Sequence, residues 1–235
     1  MSLTAAHRDR LRSAGAPAGA LDALDLQPIA AGLPEWWRRN DNALYAVPGT
    51  DLPERLLGAM TRIELSGALL AFGSDLTAIA SLLLGGDDTT VFLGAGVNLM
   101  FGEIWCGARS SVVLAGPVVG TARPFVDARN GGSIVADADQ LWAADVTVST
   151  DDMHRLEDLA TGERLNPYGA HIRLGRHVWL GRGAYVTGNT EIGEDSVVGA
   201  RSLVRSQKIA ANTAVAGTPA RVIREGITWR GEDMP

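Results

Sequence analysis

Proton-transfer chemistry in this 235-residue chain has four places to sit, His7, His154, His171 and His177. An imidazole, with an ordinary pKa of about 6.5, is the side chain that accepts and returns a proton near neutral pH. His154 stands out because it ends the run STDDMH, with Asp151 and Asp152 just ahead of it. A carboxylate in that position can fix the imidazole tautomer by accepting from one ring nitrogen, or it can be a solvated corner residue; both readings stand. His7 has no acidic or cysteine companion at metal-ligating spacing and reads as a surface residue. His171 and His177 are six residues apart and read as surface or interface residues. Cys106 is the single cysteine, which excludes an intrachain disulfide and a cysteine-based zinc cluster.

The elements that must position these residues are legible in a repeat. Leu174, Leu180, Val186, Ile192, Val198 and Val204 recur at every sixth position. A period of six is neither helical nor a simple alternation, and it predicts a parallel β-helix whose coil has three sides of six residues. Leu174 then stacks under Ile192 and Leu180 under Val198. The residue after most of these rungs is glycine (Gly175, Gly181, Gly193, Gly199), expected at a corner where positive φ is cheap. Small residues four after a rung (Ala184, Thr190, Ser196, Ser202, and the slightly larger Val178) let the next wall come close. Six rungs do not suffice for an isolated fold, so further coils are required.

Those coils are expected upstream, on a slower repeat of 21 residues that aligns Phe72-Gly73, Leu93-Gly94, Leu114-Ala115 and Val135-Ala136. The same step matches Gly86 with Gly107, Thr90 with Ser111 and Val91 with Val112, and it predicts a bulged corner in each coil. From Val135 to Leu174 the chain has room for one coil and a long excursion, placed at about 150–171, where the sequence is polar and lacks rungs. Loops carried on a rigid solenoid are where function is usually placed. The expected organisation is therefore an N-terminal cap, partly helical, over residues 1–60, a β-helix over 61–218, and a C-terminal tail or short helix over 219–235. Within the cap, Trp36, Trp37, Arg38 and Arg39 can stack on and pair with an anionic sugar nucleotide, or anchor the cap on the first coil.

Composition bounds the partners. The formal charge of −6 and pI near 5.2 give no basic footprint for nucleic acid. No apolar run reaches the roughly 20 residues of a membrane span, and the N-terminus lacks the pattern of a secretory signal. A soluble, cytoplasmic protein is the expectation.

The segment HVWLGRGAYVTGNTEIGEDSVVGARSLV, followed by NTAVAGTPARVIREGITW, strongly resembles the hexapeptide-repeat acyltransferases, in particular the sugar O-acetyltransferases of bacterial surface-polysaccharide pathways. The resemblance runs from about residue 82 to 229. It implies a left-handed β-helix, a homotrimer, acetyl-CoA as co-substrate and no metal. It also implies that the Asp-x-His at Asp152-Met153-His154, ahead of Thr161, Gly162 and Asn166, supplies the general base. His154 would take the proton of an acceptor hydroxyl attacking the thioester and return it to the departing thiolate. Asp151 and Asn166 are the candidates for holding the acceptor. On the donor side the resemblance points to Trp179 near the pantetheine, Ala200 along the thioester channel, and Arg205, Lys208, Arg221 and Arg224 near the phosphates. This chain reads VRSQKIAAN where the family has a shorter lysine-bearing segment, so either Arg205 or Lys208 fits that role. The rival readings are N-acylation of an amino sugar nucleotide, a zinc enzyme resembling the γ-class carbonic anhydrases with His154, His171 and His177 as ligands, and a non-catalytic β-helix scaffold.

Overall fold

The computed structural model describes residues 2–151, 154–166 and 168–231. The chain winds into a three-sided parallel β-helix. Its walls are a nine-stranded sheet (wall 1), a seven-stranded sheet (wall 2) and a six-stranded sheet (wall 3), visited in that order around each coil. Stacking follows the six-residue register: Leu174 pairs with Ile192, Leu180 with Val198 and Val186 with Val204. All six rungs are buried. The inward column of wall 1 continues upstream as Phe72, Leu93, Leu114 and Ala136, giving one unbroken apolar core along the axis.

Two upstream alignments differ from the sequence expectation by one residue. The rung is Ala136, not Val135, because Leu114 pairs with Ala136. Likewise Gly85, not Gly86, pairs with Gly107. Wall 3 keeps a 22-residue step there, through Leu82, Ile104, Val126 and Val148, where a single 21-residue shift had been expected.

The glycines after the rungs serve a different purpose from the one expected. A Cβ on Gly181 would lie 2.7 Å from the backbone nitrogen of Ala200 in the next coil, so this site needs a bare backbone for close approach. Positive φ falls instead on the third residue after a rung, at His177 (58°), Asp195 (57°) and Arg201 (55°).

The outward ladder of wall 1 shows where the cap must lie. Tyr45, Ala71, Phe92, Val113 and Val135 are in register and apolar, after which the same ladder becomes Arg173, Glu191 and Lys208. Helices α1 (Ala5–Ser13) and α2 (Ala18–Asp22) cover the apolar part with Leu11 and Leu21. Arg10 fastens α1 to the coil, donating to Thr90 Oγ1 (3.0 Å), Gly67 O (2.6 Å) and Thr89 O (2.9 Å). His7 is half-buried here rather than on the open surface, its Nδ1 2.8 Å from the Tyr45 hydroxyl. Burial and the nearby Arg10 hold its pKa below the ordinary value.

Helices α3 (Glu35–Arg39) and α4 (Glu54–Met60) close the open end of the core with Trp37, Leu56 and Met60. Trp37 is thus a packing anchor, too deeply buried to stack on a ligand. At the other end the chain takes the extended alternative: Arg221–Glu225 is a strand, antiparallel to Thr213–Ala216, and no helix forms there among the described residues.

Candidate functional site

The excursion leaves wall 3 after Thr147–Ser149 and re-enters wall 1 at His171–Leu174. Its neck is held by one amide. Asn166 accepts from the backbone N–H of Leu156 (2.9 Å) and donates through Nδ2 to the carbonyl of His154 (2.7 Å). Both ends of this buried side chain therefore engage loop backbone, and they lock the main chain beside an exposed His154. The loop tip turns at Asp158, whose carboxylate accepts from the N–H groups of Thr161 (2.8 Å) and Ala160 (2.9 Å); these bonds hold its pKa below the ordinary value. Asp151 is buried and accepts from Asn130 Nδ2 at 2.5 Å. Asp152 lies outside the described residues.

The edge between walls 3 and 1 is where the coils differ most. From the wall 3 rung to the wall 1 rung it spans six positions in the late coils, from Val186 to Ile192, but ten in the early ones, from Ile104 to Leu114 and from Val126 to Ala136. The extra residues form a ledge beneath the loop. One outward ladder of wall 3 runs Leu83, Trp105, Asp127, Ser149. Arg129 reaches back over it, with its Nε 2.6 Å from Asp127 Oδ1 and its guanidinium 4.5 Å from the Trp105 ring centroid. Burial raises the pKa of Asp127 against the opposing pull of Arg129, and the charge of Asp151 adds to the rise.

A cavity of about 550 Å³ opens on this ledge, bounded by Trp105, Arg129, Asn130 and Arg62 and, from the loop, by Tyr168. Sequence reasoning missed this cluster. The signal was present only in the 22-residue step, which brings Trp105 and Asp127 into register. Cys106 points into the core; burial pushes its thiol pKa up to about 12, so it is not a nucleophile here.

The donor-side candidates are spread over the prism. Trp179 projects from wall 2 and is half-exposed. Arg221 and Arg224 lie on the last strand of that wall, and Ala200 is exposed at a corner next to it. Arg205 ends a strand of wall 3. Lys208 is on wall 1, paired with Glu191 at 2.9 Å.

The structure adds a partner that the sequence did not suggest, since Trp229 returns to wall 2 and stacks on His177 (4.1 Å between centroids, 6° between planes). His177 Nε2 meets the Trp229 carbonyl at 2.9 Å and Nδ1 meets Asp139 Oδ2 at 2.8 Å. Two acceptors require two N–H donors, which is the imidazolium form. Burial alone would lower the His177 pKa, but the Trp229 carbonyl and Asp139 outweigh it and the pKa is raised. His171 is engaged separately, with Nδ1 2.9 Å from Ser133 Oγ. Among the described residues no three His, Cys, Asp or Glu side chains converge as metal ligands.

Residues 171–206 match the family described as bacterial transferase hexapeptide, six repeats. The match is confined to the late coils. No curated protein matches the sequence. Among solved structures, the polysialic-acid-specific acetyltransferase NeuO superposes with a TM-score of 0.58 at 21% identity, covering 74% of this chain and 83% of that one. At that identity the likeness is one of fold. Two weaker matches are the polysialic acid O-acetyltransferase OatWY (TM-score 0.35, 19% identity, 73% and 84% covered) and an AntD mutant, an N-acyltransferase from Bacillus cereus in complex with a dideoxy amino sugar nucleotide and coenzyme A (TM-score 0.39, 18% identity, 72% and 83% covered).

Proposed function

We propose that the protein is an acyltransferase that moves the acetyl group of acetyl-CoA to a hydroxyl of a sugar, the surface polysaccharide or its precursor, with His154 as general base. The observation that carries this reading is the loop itself. An exposed imidazole sits on a backbone locked by Asn166, beside a buried Asp151, on a fold whose late coils match the hexapeptide-transferase repeats. His154 takes the proton from the attacking hydroxyl as the tetrahedral intermediate forms and delivers it to the thiolate of CoA as that intermediate collapses. Asp151 lies three residues away, at the root of the loop, and contributes to its local negative charge.

The prism also bears on assembly. His154 stands at the edge between walls 3 and 1, whereas Trp179 and Arg221 project from wall 2, the wall opposite that edge. A single chain cannot bring the two together, so in this reading the site forms between subunits of a homotrimer, with the base from one and the donor wall from its neighbour. The test is a thioester-consumption assay with acetyl-CoA and a panel of sugar hydroxyl and amino-sugar acceptors. Transfer is expected to hydroxyls. It should reappear when His154→Ala chains are co-assembled with chains disrupted at Trp179, each inactive alone. Absence of transfer to every acceptor, or no complementation in trimers that demonstrably mix, would refute the reading.

A further inference from the structure

We propose that the cavity at the foot of the loop is the acceptor subsite and that it selects a sugar carrying an anionic oxygen group, a carboxylate or a phosphate. The proposal rests on the acyltransferase reading above and names its acceptor class. Position is the first argument. Asn130 lines the cavity and bonds to Asp151, three residues before His154, while Tyr168 closes it from the returning arm of the same loop. A ligand held here lies against the root of the loop that carries the base. A volume of about 550 Å³ falls within the range of small-molecule sites, about 300–1,000 Å³.

Chemistry is the second argument. Trp105 and Tyr168 supply aromatic faces of the kind that pack on the apolar side of a sugar ring. Each carries an arginine, Arg129 at 4.5 Å from Trp105 and Arg164 at 5.0 Å from Tyr168. Among the described residues the lining contains two arginines, Arg62 and Arg129, and no acidic side chain, in a protein whose formal charge is −6. Asp127 beneath the ledge is already paired with Arg129. Arg62 is exposed at the cavity wall and has no ion-pair partner among the described residues.

Two donors on the same wall, Arg129 Nη2 and Trp105 Nε1, are shut from water and have no acceptor among the described residues. Buried donors without acceptors are costly in a native fold. Oxygens of a bound anionic sugar would relieve them after a small shift of the stacked pair, with Arg62 closing on the charge.

Binding to the full chain, read by calorimetry without donor, tests this directly with three probes: methyl glucuronide, glucose 1-phosphate and methyl glucoside. At least one anionic probe is expected to bind roughly tenfold or more tightly than the glucoside, as charge-assisted hydrogen bonds would give. Which one does so separates carboxylate from phosphate. Arg62→Ala should erase that preference while leaving acetyl-CoA affinity and the glucoside unchanged, and Arg62→Lys should restore part of it. Equal binding of charged and neutral probes, or equal weakening of both by Arg62→Ala, would overturn the proposal. The transferase reading fails separately: sugars that bind with the expected preference but are never acylated would count against catalysis and leave the subsite standing.

Discussion

The early and late coils of this β-helix use the same three walls and teach different things. Residues 171–209 wind at 17 or 18 residues per coil, with short sides and with glycine or a small residue where the next coil presses close. Residues 69–149 wind at 21 or 22, and the surplus is concentrated on the edge between walls 3 and 1, where the wall 3 strands run on to a further buried residue, such as Cys106 after Ile104 and Ala128 after Val126. The late coils are built for regularity, whereas the early coils are built asymmetrically and carry a ledge, a cavity and the root of the loop. Regular coils tolerate little at their rungs and corners, while the cavity and the proposed base lie where regularity is broken.

That contrast can be broken from the regular side first. Ile192→Asp would place an unpaired carboxylate in an inward column, at a cost of several kcal/mol. The expected result is loss of soluble folded protein by circular dichroism and gel filtration; a folded, active variant would contradict the six-residue register. His154→Ala probes the irregular side. Turnover should drop by roughly 10²–10⁴-fold with the melting temperature and acetyl-CoA affinity almost unchanged, because the side chain is exposed on the loop.

Gly181→Ala is next in size. Its Cβ would stand 2.7 Å from Ala200 N, and relieving that overlap should destabilise the chain by about 1–3 kcal/mol, seen as a lowered denaturation midpoint. The same change at Gly19, which has open space around its Cβ position, should be neutral or slightly stabilising within α2.

The smallest effect concerns pH. His177 has a raised folded pKa, so its contribution to holding the tail is fully present below the unfolded value near 6.5 and is lost as pH rises through the higher folded value. Amide protection factors around Ile227–Trp229, taken relative to the intrinsic base-catalysed rate, should therefore fall on going from pH 6 into the alkaline range. His177→Gln should remove most of that dependence; an unchanged profile would mean that the stacked ring alone holds Trp229.

The legible parts of this structure were those that follow from local repetition. The rungs from Leu174 to Val204 specify stacking because each is apolar at a fixed interval, and the absence of rungs after Asp151 marks the excursion as clearly as their presence marks the coil. The exposed place of His154 on the loop was legible for the same reason, while its proposed role as base came from the resemblance of Asp152-Met153-His154 to the acyltransferase motif.

What escaped depended on contacts between coils of unequal length. A 21-residue shift placed Val135 as a rung, but the 22-residue step puts Ala136 there and turns Val135 outward onto the cap. The pairing of Arg129 with Asp127 and Trp105 spans two such coils, and the His177–Trp229 stack joins residues 52 apart, which no periodicity announces. The non-glycine corners at His177, Asp195 and Arg201 were equally hidden, since nothing local in those residues demands positive φ.

The ladders on either side of the excursion close without interruption: Ser149 pairs with Thr187 in wall 3, and Ser133 with His171 in wall 1. The inserted segment thus begins on a strand of wall 3 and ends on the next strand of wall 1, each held in its own ladder by the neighbouring coils, and its length is invisible to the scaffold. Loop-closure entropy rises only logarithmically, so doubling such an insert adds roughly 0.6 kcal/mol. The fold behaves as a socket into which cassettes of different length and composition can be exchanged by recombination or by design. Under the proposed function, new acceptor chemistries could then arise in one step, with no compensating change in the coils that carry them.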